Sequence, residues 1–307
     1  MTLIFEHAIC LEHDLGQGHP ERPDRLRAIQ LALAEPAFAA LERRSAPLAS
    51  WPQIALVHPQ HYIDQVAAAA PVQGRVQLDP DTAMNPASLE AARRAAGAVC
   101  SAVDAVMAGE APNAFCAVRP PGHHAEPARS MGFCIFNSVA IGALHARAEH
   151  GLKRVAVVDF DVHHGNGTQS AFWDDGDLFY GSTHQMPLYP GTGAAVETGA
   201  GNIHNFPLSP GAGGVAFRDA FIDGLLPALD AFAPELLLVS AGFDGHVDDP
   251  LAQLRLETED YAWVSAELLA VAERHCRGRL VSSLEGGYDL AALATATAAH
   301  VRALMSL

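Results

Sequence analysis

The stretch VAVVDFDVHHGNGTQ, residues 155–169, carries an apolar strand directly into two aspartates, two histidines and two glycines. Val155 to Phe160 is short and rich in valine, the pattern of a buried strand. Such a strand normally ends in a turn that solvent can satisfy. A charged cluster there is costly to bury without a compensating partner such as a metal ion. Asp159, Asp161 and His163 are spaced by two, so they point the same way if the backbone stays extended. Two carboxylates and an imidazole would then crowd together, and a divalent cation is the simplest way to offset the repulsion.

Outward from this stretch, β-rich runs alternate with alanine- and leucine-rich helical ones. Strands are expected at Leu3 to His7, Ala114 to Val118, Val155 to Phe160, Leu178 to Ser182, Leu236 to Ser240 and Leu280 to Leu284. Helical spacing marks residues 86–109, 137–151 and 258–276. The alternation predicts an α/β fold with a central, mostly parallel sheet between helical layers. Gly- and Pro-rich loops are dense between 184 and 214, and without repeats or linkers the expectation is one domain over 1–307.

Four of the strands end in polar residues. NAFCAVRPPGHH (113–124) closes on His123 and His124, RVAVVDFDVHH on Asp159, Asp161 and His163, LLLVSAGFD on Asp244, and LVSSLEGGY on Tyr288. In an open parallel sheet these ends share one edge, where ligands bind. Asp161 and His163 supply two metal ligands and Asp244 a third, leaving a position open as in catalytic sites. His123 and His124 suit proton transfer near neutral pH. Asp159 and Asn166 are candidates to fix the imidazole tautomers, and the Tyr288 hydroxyl to hydrogen-bond an oxyanion. Any one of these side chains alone would read as an ordinary hydrogen-bonded residue. Their joint occurrence carries the inference.

Composition narrows the partners. The chain has 307 residues, 50% of them hydrophobic, with 19 basic against 35 acidic side chains and a net charge of −16. Nucleic-acid backbone is disfavoured, and cationic small molecules or basic peptides are favoured. Lys153 is the single lysine and alanine is heavily used, fitting a GC-rich bacterial coding bias. Cys10, Cys100, Cys116, Cys134 and Cys276 form no C-x-x-C pair, which points to a reducing cytoplasm. No segment is apolar enough for a membrane span, and the N-terminal residues have no basic, signal-like region. Cys134 reads as a buried, inert thiol. His7, His13, His58, His61, His145, His150, His246, His275 and His300 read as solvated or packing residues, and His164 as part of the loop structure.

Taken together these residues resemble the histone deacetylase and acetylpolyamine amidohydrolase family. The matching elements are HPERPDRL (19–26), RPPGHHAEPARSMGFCIFNSVA (119–140), DFDVHHGNGTQ (159–169), STHQMPLYPGTG (182–193), SAGFDGHVDDPL (240–251) and EGGY (285–288). They run in order over nearly the whole chain. Asn166, where class I enzymes carry aspartate, is similar to the class II branch. The resemblance implies a three-layer αβα fold of the arginase-deacetylase type and zinc on Asp161, His163 and Asp244. It implies His124 as general base and then acid, His123 tuned by Asp159, and Tyr288 polarising the scissile carbonyl with the metal. Gly132, Phe133 and Tyr189 would line an acyl-lysine tunnel. A structural potassium is implied near Asp159, Asp161, His163, Ser182 and Thr183.

The expected activity is zinc-dependent removal of acetyl, or another acyl group, from an acyl-lysine or related aminoalkyl substrate. Acetylpolyamine hydrolysis is the first alternative. The charge of −16 favours it, whereas Leu251 stands where polyamine-selective relatives of this branch carry a glutamate. A two-metal ureohydrolase or a silent acyl-ligand binding module fits the residues less well. The acyl chain, the physiological metal (Fe(II) and Co(II) also suit these ligands) and the oligomeric state are left open by the sequence.

Overall fold

The valine- and leucine-rich runs assemble side by side in a computed structural model of the chain, which describes residues 1–306. The strands are β1 (Thr2–Glu6), β2 (Glu42–Ser45), β3 (Val76–Asp79), β4 (Thr82–Met84), β5 (Asn113–Cys116), β6 (Val155–Asp159), β7 (Leu178–Gln185), β8 (Ile203–Leu208), β9 (Leu236–Ala241) and β10 (Leu280–Leu284). Eight of them form one sheet in the order β2-β1-β5-β10-β9-β6-β7-β8. Every pairing within it is parallel. Among the described strands, the antiparallel pair is the separate β3-β4 hairpin. β5, β6, β7, β9 and β10 are buried along their whole length, which is why β6 and β9 read as nearly continuous apolar runs without alternation.

Helices Ser88–Met107 and Ser138–His150 pack together on one side of the sheet. Asp24–Ala32, Leu290–Leu304 and Thr258–Cys276 form the opposite layer. Local chemistry sets their ends. The Asn137 side chain caps the start of 138–150 by accepting the Ala140 amide, and Gly151 ends that helix at a positive φ of 65°. Asp289 caps 290–304 by accepting the Ala292 amide at 2.8 Å, fixing the chain just after Tyr288. No helix among the described residues is long and apolar enough to cross a membrane.

The six expected strands are present, Leu280–Leu284 with the expected bounds and the other five with shifted ends, and the helices expected over 86–109, 137–151 and 258–276 are the three observed there. The two strands of the main sheet that were not expected lie at its edges. β2 spells ERRS, a polar edge strand with only alternate partial burial. β8 lies in the region expected to be loop and contains Pro207, which an edge strand tolerates.

Candidate active site

The four strands with polar ends, β5, β10, β9 and β6, are consecutive in the sheet. From β6 the chain moves on to β7 on one side, and from β9 to β10 on the other. Diverging connections leave a crevice beyond the carboxyl ends of that strand pair. Asp161 and His163 enter it after β6, and Asp244 after β9.

These three side chains meet, but not by continued extension. β6 ends at Asp159, and two successive side-chain turns carry the backbone onward: Asp159 Oδ1 accepts the Asp161 amide at 3.1 Å, and Asp161 Oδ1 accepts the His163 amide at 2.9 Å. His163 Nδ1 then lies 3.2 Å from Asp161 Oδ1 and 3.1 Å from Asp244 Oδ2. Asp159 turns away from this triangle, toward His123. The other carboxylate oxygens are held by amides, Gly286 N on Asp161 Oδ2 at 2.8 Å and Val162 N on Asp244 Oδ1 at 2.9 Å.

Two glycines make the close approach possible. A Cβ at Gly242 would stand 2.0 Å from Asp161 Oδ2, and one at Gly286 2.0 Å from Asp244 Oδ2. Burial alone would depress the His163 imidazole, but the two carboxylates outweigh it and raise its pKa to about 10. The pocket thus stabilises positive charge at the point where the three donor atoms face one another, within 4.8 Å. One imidazole nitrogen and two carboxylate oxygens suit a borderline divalent ion such as zinc.

The histidine pair follows β5. Their rings lie 4.1 Å apart between centroids, and their nitrogens are oriented by different partners. His123 Nδ1 donates to Asp159 Oδ2 at 2.9 Å, an oxygen that also accepts the Tyr180 hydroxyl at 3.2 Å. His124 Nδ1 faces Asn166 Oδ1 at 2.9 Å, while Asn166 Nδ2 donates to Glu126 Oε1 at 2.8 Å. A carboxylate only accepts, so Glu126 sets the amide's orientation, and the amide oxygen in turn fixes the proton on His124 Nδ1. Nε2 of His124 is left as the basic nitrogen. The two rings are tuned apart. Burial and the positive charges of His123 and His163 hold His124 well below the usual histidine range. Burial also opposes charge on His123, but Asp159, Asp161 and Glu285 outweigh it and push that ring well up. Opposed shifts in adjacent groups are what acid–base chemistry requires.

Tyr288 follows the β10 turn and is 8% exposed. Burial keeps its phenol protonated by raising its pKa well above the ordinary value. Its ring stands edge-on to Phe133 with centroids 6.0 Å apart. Its backbone is tied down by Asp249, whose Oδ2 accepts the Tyr288 amide at 2.7 Å while Oδ1 accepts that of Leu251 at 3.0 Å. Arg25 lies over the Tyr288 ring, 4.9 Å from its centroid, and donates to Gly287 O at 2.6 Å. Tyr189 faces both imidazoles, 5.2 Å from His124 and 6.4 Å from His163. Gly132, at φ 57°, brings its backbone so close that a Cβ would sit 2.3 Å from His124 Cδ2. Phe133 and Gly132 are pinned through their amides to Thr82 Oγ1 and Asp81 Oδ1, each at 3.0 Å. Ser182 pairs in register with Asp159, its hydroxyl 2.9 Å from His184 Nδ1, and the Thr183 hydroxyl is buried without a partner.

Sequence reasoning left several residues without a role. Glu285 lies under the histidine turn, its Oε2 accepting the amides of Gly122 at 2.6 Å and His123 at 3.1 Å. Glu21, buried with Arg119 and Arg25, joins the first quoted motif to the segment that follows β5. Asp249, Asp81 and Glu126 support the residues described above. Glu21, Arg25, Glu126, Asp249 and Glu285 sit inside the quoted motifs, and that membership was the available signal. His164, bonded to Thr192 and Gln169 at 2.8 and 3.0 Å, belongs to the loop structure as expected.

Known proteins resemble this chain in sequence and fold. A sequence model of the histone deacetylase domain matches residues 19–304. The chain is 42% identical over 311 residues to a histone deacetylase-like amidohydrolase of Pseudomonas aeruginosa, covering 94% of this chain and 82% of that protein. It is 40% identical over 310 residues to histone deacetylase 10, chloroplastic, of rice (Oryza sativa subsp. japonica), covering 94% of this chain and 70% of that one. The crystal structure of the HDA15 HD domain superposes with a TM-score of 0.95 at 35% identity, covering 99% of this chain and 88% of that one. The sheet, its flanking helices and these matches make the chain a member of the histone deacetylase family, whose proteins are hydrolytic deacetylases and amidohydrolases.

Proposed function

We propose that the chain is a zinc-dependent amidohydrolase that removes an acetyl or other acyl group from an acyl-lysine or related aminoalkyl substrate. The observation that carries this reading is the meeting of Asp161, His163 and Asp244 beside an imidazole, His124, whose Nε2 is held free and unprotonated. Those three residues would hold the ion, which when bound supplies Lewis acidity toward the amide carbonyl and a lowered pKa for water. His124 accepts the proton of the attacking water at Nε2 and returns it to the leaving amine. His123, kept cationic by Asp159, adds positive potential beside it. Tyr288 donates its hydroxyl to the oxyanion, held in position from its backbone by Asp249. Gly132, Phe133 and Tyr189 form the walls along which the acyl-amine chain is guided.

A potassium ion near Asp159, Asp161, His163, Ser182 and Thr183 is part of the same reading. The unpartnered Thr183 hydroxyl at that strand end supports it. Leu251, on the strap that Asp249 ties to Tyr288, favours a substrate with a neutral tail over a polyamine. The five cysteines are buried and free, which supports a reducing compartment such as the cytoplasm.

The test is hydrolysis of a fluorogenic acetyl-lysine peptide and of acetylputrescine, before and after chelation and with zinc restored. The reading expects chelator-sensitive turnover, restored by zinc, with kcat/KM higher for the peptide. Turnover indifferent to chelation sinks the metal reading, and a large preference for acetylputrescine reverses the order of substrates.

A further inference from the structure

A second group of metal-ligating side chains lies away from the crevice, where the last turns of helices 88–107 and 138–150 meet. Asp104 Oδ1 is 2.8 Å from His145 Nε2 and 2.7 Å from His150 Nε2. From the sequence, both histidines read as packing or solvated residues, since nothing marks Asp104 as their common neighbour. The structure turns both Nε2 atoms onto one carboxylate oxygen, with all three donor atoms within 4.8 Å of one another.

We propose that Asp104, His145 and His150 form a metal site for a late first-row divalent ion, zinc, nickel or copper(II), that clamps the two helix ends together. Two imidazole nitrogens and a carboxylate oxygen are the donors such ions prefer. Ligand atoms around a tetrahedral zinc with bonds of about 2.0–2.1 Å stand about 3.3 Å apart, so opening this triangle by about half an ångström admits the ion. The helices supply the second argument. Asp104 lies in the last turn of one and His150 ends the other, so two carbonyl ends, each carrying partial negative charge, converge on the group. Both termini favour a cation there.

Access and rigidity agree with this. Asp104 is about half exposed (51%) and His150 a quarter (25%), so an ion can enter from solvent and keep water as its remaining ligands, while His145 is fixed in the interior. Among the described residues no other partner competes for the His145 ring, whose Nδ1 is buried and unbonded. The site sits on helices rather than loops, so the donors are already positioned before binding. The chain's charge of −16 raises the local concentration of divalent cations further.

The experiment is equilibrium dialysis of the intact protein against zinc alone, with metal counted per chain. Four proteins are compared: the parent, Asp244→Asn, His150→Ala, and the double variant. The expected counts are two, one, one and none. Asp104→Asn, at an exposed position, serves as a second variant should His150→Ala fold poorly, and is expected to bind one. In the Asp244→Asn background, zinc should raise Tm by a few degrees, and His150→Ala should abolish that rise. Deacetylation by His150→Ala should match the parent. One ion per chain in the parent, lost in Asp244→Asn, overturns the proposal and leaves two imidazoles hydrogen-bonded to a carboxylate. Full parent stoichiometry in both His150→Ala and Asp104→Asn overturns it as well. One ion in the parent that survives Asp244→Asn but not His150→Ala upholds this site while removing the active-site reading, so the two failures are distinguishable.

Discussion

Replacing Asn166 by aspartate changes one atom and tests the whole assignment of His124. In the native site a neutral amide oxygen accepts from His124 Nδ1 at 2.9 Å, and the ring is held well below the usual histidine range by burial and by the positive charge of His123 beside it. A carboxylate at the same distance attracts the imidazolium by about 6 kcal/mol at an effective dielectric of about 20. Two effects oppose it. The new charge is buried, and it faces Glu126 Oε1, now 2.8 Å from the amide nitrogen. A net rise of about 1–3 units in the His124 pKa is the expected balance. The base works only when neutral, so kcat/KM climbs as pH rises through that pKa. In Asn166→Asp the acid limb of the profile therefore moves up by about 1–3 units. At pH values below both pKa values activity falls by about 10- to 1000-fold relative to the parent, while activity near pH 9 stays within a few fold. Asn166→Leu, which removes the acceptor and frees the tautomer, lowers kcat across the profile instead. Coincident acid limbs for parent and Asn166→Asp refute the role given to His124.

Further outcomes follow from the same geometry. Tyr288→Phe should reduce kcat by about 10²- to 10³-fold with unchanged metal content and Tm, measured by turnover and by metal analysis. Gly286→Ala places a Cβ 2.0 Å from Asp244 Oδ2, so zinc affinity and activity should both collapse, while Gly176→Ala, with open space around it, should leave both intact. Asp249→Asn should lower kcat with little change in KM, because the Tyr288 backbone loses its anchor. His58, lowered to about 4 by burial, accepts the Asn137 amide at Nε2 and donates to Pro127 O, so the folded state holds it neutral. The unfolded chain binds that proton below about pH 6.5, so His58 contributes stability above that pH and loses it as pH falls from 6.5 toward 4. His58→Gln should flatten the pH dependence of the denaturation midpoint in that window.

How much of this was legible from sequence differs by level. β6 and β9 are legible because burial on both faces leaves uninterrupted apolar runs. β2 is not, because ERRS at the sheet edge obeys solvent rather than the core. The convergence of His123, Asp161, Asp244 and Tyr288 follows from parallel topology alone, since polar strand ends share an edge. The means of convergence does not. The expected extension through residue 163 fails at Asp159, where side-chain-to-amide turns take over, and such turns depend on rotamers that spacing cannot show. Asp249 and Glu285 act on residues far along the chain through buried backbone amides. Their roles are invisible until the fold brings those amides to them. Asp104, His145 and His150 illustrate the same limit, for their meeting depends on how two helices pack.

The measurement closest to the central claim is anomalous diffraction at the zinc edge from crystals of the zinc-loaded protein. A peak within bonding distance of His163 Nδ1, Asp161 and Asp244, with a water or substrate oxygen on the face toward His124, is the predicted result. Strong zinc density elsewhere with none among these three residues, in crystals of active protein, would contradict the account.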